Sequence, residues 1–309
     1  MHPRQTTRCL TSGLLLAAAL LTACGDAIGP GAASRPIVFM QLAPGWRIYQ
    51  VGLDGAAPQL VPLPPGDALY PAVSSGGLLA YVQQTADGGL FVVDSTGAPP
   101  RKIYPDAAVD QIAWSPNADQ LVLALPDWGS GPGAGGLRVV TLADGGISDI
   151  ASGLAEPTWS PDGRVILAVP NLDFPKRSPG IYAVTLGDTT PRLVIAPPPG
   201  QGIRGPAWSP DGSRVAYALG RYGMDFIYTS RPDGSDRKQL TWQENGLSTT
   251  DLKPVWSPDG SRIAFQREHL VCLNGTCSDR YDVYVVRANG SDLRNLTAAA
   301  SWGGAAPTW

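Results

Sequence analysis

Histidine is almost missing from this sequence: His2 and His269 are the two present in 309 residues. A histidine-rich metal site cannot be assembled from so few imidazoles, and a Ser-His-Asp triad could draw only on His269, which has no nucleophile motif to serve. Charge is also sparse, at 16% of residues, with a net of −3 and no basic tract, which excludes nucleic acid as a natural partner. Gly-x-Ser-x-Gly, His-Glu-x-x-His and phosphate-loop patterns are all absent, so neither a bound metal nor any other cofactor is expected. Glycine and proline are plentiful, at 37 and 30, and evenly spread among nine Trp and ten Tyr. That mixture suits many short strands joined by tight turns.

The first segment reads as a targeting signal. His2, Arg4 and Arg8 make a positive start, and Leu10 to Leu21 follow as an apolar run too short to span a bilayer comfortably. The run ends in Leu21-Thr22-Ala23-Cys24, which resembles the bacterial lipobox. The resemblance implies a signal peptide over 1–23, lipidation of Cys24, and a Gly/Pro/Ala-rich tether over 24–35. An ordinary cleaved signal peptide that happens to precede a cysteine is the alternative. Cleavage removes two arginines and no acid, leaving 21 basic against 26 acidic side chains. The expected location is the cell envelope, lipid-anchored, on the periplasmic or cell-surface side.

From residue 36 onward the sequence repeats. Ala113-Trp114-Ser115-Pro116-Asn117, Thr158-Trp159-Ser160-Pro161-Asp162-Gly163, Ala207-Trp208-Ser209-Pro210-Asp211-Gly212 and Val255-Trp256-Ser257-Pro258-Asp259-Gly260 recur at nearly constant spacing. A degenerate copy, Pro71 to Gly76, precedes them, and Pro307-Thr308-Trp309 follows. Between copies lie an apolar run such as Val215-Ala216-Tyr217-Ala218, a second such as Val283-Tyr284-Val285-Val286, and a short last one such as Lys238-Gln239-Leu240. The unit is therefore four strands, A to D. Sheets with two apolar faces must stack, and radial stacking leaves only short edges. Ser-Pro-Asp-Gly fits a type I turn with glycine where φ becomes positive, and the preceding Trp is the expected wedge between sheets.

Residues 36 to 62 supply strands B, C and D without an A, while Ala305 to Trp309 supply an A with nothing after it. The expectation is all-β: a six-bladed β-propeller over 36–309, its ring closed by the C-terminal strand joining the N-terminal blade. The Trp-Ser-Pro-Asp-Gly pattern, with the strands that follow it, resembles the TolB-type propeller repeat family. That likeness covers the propeller alone, since 24–35 leave no room for the α/β domain that precedes it in TolB.

Candidate chemistry is thin. Asp162, Asp211 and Asp259 recur at one turn position, and repetition argues for structure. His269, beside Glu268, reads as a loop residue. Cys272 and Cys277 flank Leu273-Asn274-Gly275-Thr276 in what reads as a loop between strands B and C of the last blade; a disulfide is expected, with zinc as the alternative.

The two faces of such a ring differ. The A–B and C–D turns are short and alike, whereas the B–C and D–A connections on the other face are long and varied: 126–136, 170–180, 197–205, 242–253 and 267–282. Function concentrates on variable loops held by a rigid frame. This long-loop face is expected to carry Trp46, Trp128, Tyr222, Trp242, Tyr281 and Trp302 with Arg177, Arg204, Arg221 and Arg267, residue types typical of binding hot spots. A monomeric, membrane-anchored binding or scaffold protein for a protein or glycan partner is the leading reading. A sialidase-like glycosidase using Arg204, Arg221 and Arg267 is second, and a subunit of an envelope-assembly complex is third.

Overall fold

A computed structural model of the chain describes residues 35–42, 44–54, 56–94, 98–126, 135–171, 178–221, 223–243, 249–273, 276–298 and 304–309. Twenty-four strands form six antiparallel four-stranded sheets among these residues, with no helix. Blade 1 contains β1 (Ile37–Leu42), β2 (Trp46–Val51) and β3 (Gln59–Leu60). Blade 2 is β4 (Asp67–Val73), β5 (Leu79–Gln84), β6 (Gly89–Val93) and β7 (Arg101–Tyr104). Blade 3 is β8 (Gln111–Trp114), β9 (Gln120–Leu125), β10 (Gly136–Thr141) and β11 (Ile147–Ser152). Blade 4 is β12 (Leu154–Trp159), β13 (Val165–Pro170), β14 (Ile181–Thr185) and β15 (Asp188–Ile195). Blade 5 is β16 (Gly202–Trp208), β17 (Val215–Arg221), β18 (Met224–Ser230) and β19 (Lys238–Gln239). Blade 6 is β20 (Thr249–Trp256), β21 (Arg262–Leu273), β22 (Thr276–Arg287) and β23 (Arg294–Asn295). The last strand, β24 (Gly304–Thr308), pairs with β1 and completes blade 1, so the ring is closed by its first and last described strands.

Strand periodicity explains the stacking. Successive side chains point to opposite faces, so a strand apolar at every position feeds two neighbours. Ile37 and Phe39 pack against blade 6, whereas Val38 packs against blade 2. Ala216 and Ala218 face blade 6, while Val215, Tyr217 and Leu219 face blade 4. Each blade junction thus carries its own apolar cluster. Aromatic pairs stack across the B and C strands of four blades: Phe39–Tyr49, Tyr81–Phe91, Tyr217–Tyr228 and Phe265–Tyr284.

The repeated tryptophan is the expected wedge. Trp114, Trp159 and Trp256 each donate Nε1–H to an inner-strand carbonyl of the preceding blade, on Ala72, Ala113 and Ala207 at 3.0, 3.2 and 3.1 Å. Trp309 instead donates to the Arg35 carbonyl, just ahead of β1 in its own blade, at 3.0 Å. In each Ser-Pro-Asp-Gly turn the glycine N–H bonds the serine carbonyl, and Gly163, Gly212 and Gly260 have φ of 70°, 71° and 69°. The aspartates at those turns accept from Ser160, Ser209 and Ser257 at 2.6 Å, so they shape the turns as the repeat implied.

Two sequence expectations are corrected. Residues 267–282 are not a loop: β21 and β22 run on as a twelve-residue ribbon in continuous register, with Leu273 opposite Thr276. Asn-Gly at 274–275 is a strong signal for a two-residue hairpin, which a long insertion had disguised as a connection. His269 accordingly lies in a strand, opposite Arg280 and Thr249. Inner strands also start earlier than the sequence placed them, at Gly202 and Thr249, because their prolines do not end them. The strand passes through each proline on a bulge, which is tolerated because strand A is a sheet edge.

Candidate functional site

Those bulges build the axial channel. Tyr70, Glu156, Lys253 and Ala306 each precede a proline and have φ between 49° and 55°, and Gly205 has φ of 59°. The ladder register shifts at all five places. In blade 3 Ile112 replaces the proline, the pairing is regular, and Gln111 takes the equivalent place. Six inner strands therefore present Ala306, Tyr70, Gln111, Glu156, Gly205 and Lys253, in blade order, to one cavity of about 240 Å³.

The cavity is asymmetric, a few polar groups set in a largely apolar lining. The Glu156 carboxylate accepts the Gly205 N–H from the neighbouring blade. The Lys253 ammonium lies 5.9 Å from the Tyr70 ring centroid, reaching past blade 1, where the residue is only Ala306. A Cβ on Gly205 would come within 3.3 Å of Pro254 and 3.4 Å of Lys253 backbone, so the small residues flanking Lys253 make its space. Burial lowers the Lys253 pKa, opposed by the Glu156 and Asp110 carboxylates. Burial and the Asp110 charge raise that of Tyr70.

Beside the channel, blade 6 holds a buried charge network. Arg267, 1% exposed, donates Nε and Nη2 to the two oxygens of Asp251 at 2.6 and 2.8 Å. Its guanidinium stacks on Tyr284, 4.6 Å from the ring centroid. Asp282 accepts from Thr297 Oγ1 at 2.9 Å and from Arg280 Nε at 3.1 Å, and His269 Nε2 lies 3.6 Å away. Asp225 on β18 is also buried; burial raises its pKa, Arg204 opposes that, and Glu156 and Asp251 add to it.

Among the residues expected on the long-loop face, Trp242 is 55% exposed, and Arg221 is exposed with Nη2 donating to the Pro199 carbonyl. Met224, 41% exposed, pairs with Arg221 across the blade 5 hairpin. Arg204 is half-buried on the inner strand. Trp46 and Tyr281 are half-buried against the cluster that includes Met40, Leu69 and Ala305. Tyr281 hydrogen-bonds Glu268, whose pKa is raised by burial and Asp279. Arg267 lies beneath the face rather than on it, since its charge is neutralised inside the blade. The three arginines of the sialidase-like reading therefore do not form an open anion clamp. Cys24, Trp128, Arg177, Tyr222 and Trp302 fall outside the described residues. Of Cys272 and Cys277 only the backbone is described, and it sets them directly opposite each other. Among the described residues no three His, Cys, Asp or Glu side chains gather to hold a metal.

The channel ring went unread in the sequence, because its six residues differ while a repeat search rewards sameness. Its signal was the constant proline after Tyr70, Glu156, Gly205, Lys253 and Ala306.

A six-bladed propeller with one closed-over blade, Trp-Ser-Pro-Asp-Gly turns and proline-bulged inner strands defines the class of this protein. The family model for the TolB beta propeller domain matches residues 145–309, more than half of the sequence, and the chain belongs to that family. It is 44% identical over 71 residues to the Tol-Pal system protein TolB of Alcanivorax borkumensis; that stretch is 23% of this chain and only 15% of the relative. The crystal structure of TolB from Acinetobacter baumannii shares the fold at a TM-score of 0.70 and 18% identity, over 91% of this chain and 67% of that one. A putative TolB from Agrobacterium tumefaciens does so at 0.60 and 18%, over 89% and 91%.

Proposed function

We propose that the protein is an extracytoplasmic binding protein, held at a membrane through Cys24, that engages a protein or glycan partner with its long-loop face and channel mouth. The observation that carries this reading is the contrast between the faces. On the turn face the serines and aspartates of blades 4, 5 and 6 satisfy one another within the turn. On the other, Trp242 stands 55% exposed in the same blade as the exposed pair Arg221 and Met224, and exposed aromatics and arginines are residue types that interfaces bury. The Tol-Pal assignment of the Alcanivorax relative makes a protein the first partner to seek.

Crosslinking in the native envelope, followed by binding measurements on the captured partner, tests this. Alanine at Trp128, Arg221 or Trp242 is expected to weaken binding by more than about 1 kcal/mol at one or more of the three. Loss of binding only on substitution of the turn face would reverse the assignment.

A further inference from the structure

The place of Arg35, just ahead of β1, bears on which face the anchor serves. β1 is antiparallel to β24, and its start pairs with Thr308, so it begins at the end of the ring where the Ser-Pro-Asp-Gly turns lie. Arg35 is held there. Its Nη2 donates to the Ser75 carbonyl at 2.8 Å, within the A–B turn of blade 2, and its own carbonyl accepts from Trp309.

Residues 25–35 separate this point from Cys24, and fully extended they reach about 40 Å. To lay the long-loop face on the same membrane, that stretch would have to clear β2 and β3, roughly 10 Å at the usual strand spacing. It would then climb the height of a six- or seven-residue strand, roughly 20 Å. The blade 6 ribbon adds a further obstacle. Thr249 pairs with His269 at the start of the inner strand, and the ribbon's remaining pairs, out to Leu273 and Thr276, extend up to roughly 13 Å further along the strands. A relaxed tether of that length spans only roughly 20 Å, so reaching the far face would require a nearly fully stretched chain, whereas the Ser-Pro-Asp-Gly face requires no such stretching.

We propose that the protein stands on its membrane with the Ser-Pro-Asp-Gly face inward and the long-loop face, led by the blade 6 ribbon, pointing away. Its partner is then a protein outside the anchoring bilayer. This orientation rests on the Cys24 anchor. The difference in height between the faces is large enough to read by energy transfer. The acylated protein, purified from membranes and reconstituted in phospholipid vesicles carrying an acceptor-labelled lipid, receives a donor dye at Asn117→azidophenylalanine or Gln243→azidophenylalanine. The first site is in an A–B turn and the second in a D–A connection, both exposed. Transfer from position 117 is expected to exceed that from 243 at least two-fold. Equal or reversed transfer in acylated protein overturns the orientation and leaves the anchor standing. Mass spectrometry of the native protein that finds Cys24 without acyl groups overturns the anchor and the orientation with it.

Discussion

Ala118 shows how a single side chain can sit against its backbone. It occupies the place of Gly163, Gly212 and Gly260 in the blade 3 turn, with φ of 60° and its N–H on the Ser115 carbonyl at 3.0 Å. An L-residue there is strained, so Ala118→Gly is expected to stabilise the fold by about 1 kcal/mol in equilibrium denaturation. A loss of stability would contradict it. The neighbouring turns carry a pH dependence. Hydrogen bonds from Ser160 and Arg164 hold the Asp162 carboxyl below its ordinary value of 3.8, and Ser209 and Ser213 do the same for Asp211. At Asp259 burial pulls upward, but Ser257 and Ser261 outweigh it. Groups with depressed folded pKa values contribute stability above the unfolded value, and that contribution is lost as pH falls through the folded one. The urea midpoint is therefore expected to drop on acidification below about pH 4. Replacing all three aspartates with asparagine should lower the neutral-pH midpoint and flatten the acid limb, whereas a parallel acid limb would place its source elsewhere.

At the scale of elements, the blade 6 ribbon joins two readings of the sequence. Leu273 faces Thr276 in the ribbon's last described pair, and Cys272 faces Cys277 one pair further in. Directly opposed residues of an antiparallel pair have the Cα separation a disulfide uses. Protein taken from the envelope without reductant is expected to show both thiols unreactive, with only a modest loss of stability on reduction, because the closed loop is small. Two free thiols would sink the pairing. Strands and turns repeated in every blade could be read from sequence, because one physical requirement, burial of both sheet faces, recurs six times. The channel was harder to read, since no two of Tyr70, Gln111, Glu156, Gly205, Lys253 and Ala306 share a side chain and only the proline after five of them marks the place. Arg267 misled for a related reason: arginine beside a loop suggests contact, and nothing local reveals that Asp251 lies across from it.

The whole molecule is held by junctions, and the one between its ends is the most exposed to test. β24 gives blade 1 its inner strand, Thr308 Oγ1 accepts from Val73 N–H, and Trp309 fills the cluster between blades 6 and 1. Deleting Ala305 to Trp309 opens a sheet edge and removes that wedge. Loss of cooperative unfolding, or aggregation, is the expected result, and a deletion variant with an unchanged melting curve would rule out the closed ring. The same junction gives the fold a direction in time. A chain made and delivered N-terminus first has β1, β2 and β3 available early, yet their fourth strand, β24, comes only after blades 2 to 6. Blades 2 to 6 can form in order behind it while blade 1 stays three-stranded, its apolar face against blade 6 unmatched. Completion of the ring thus waits on β24, so that birth of the native state is tied to that closing strand and not to any single blade.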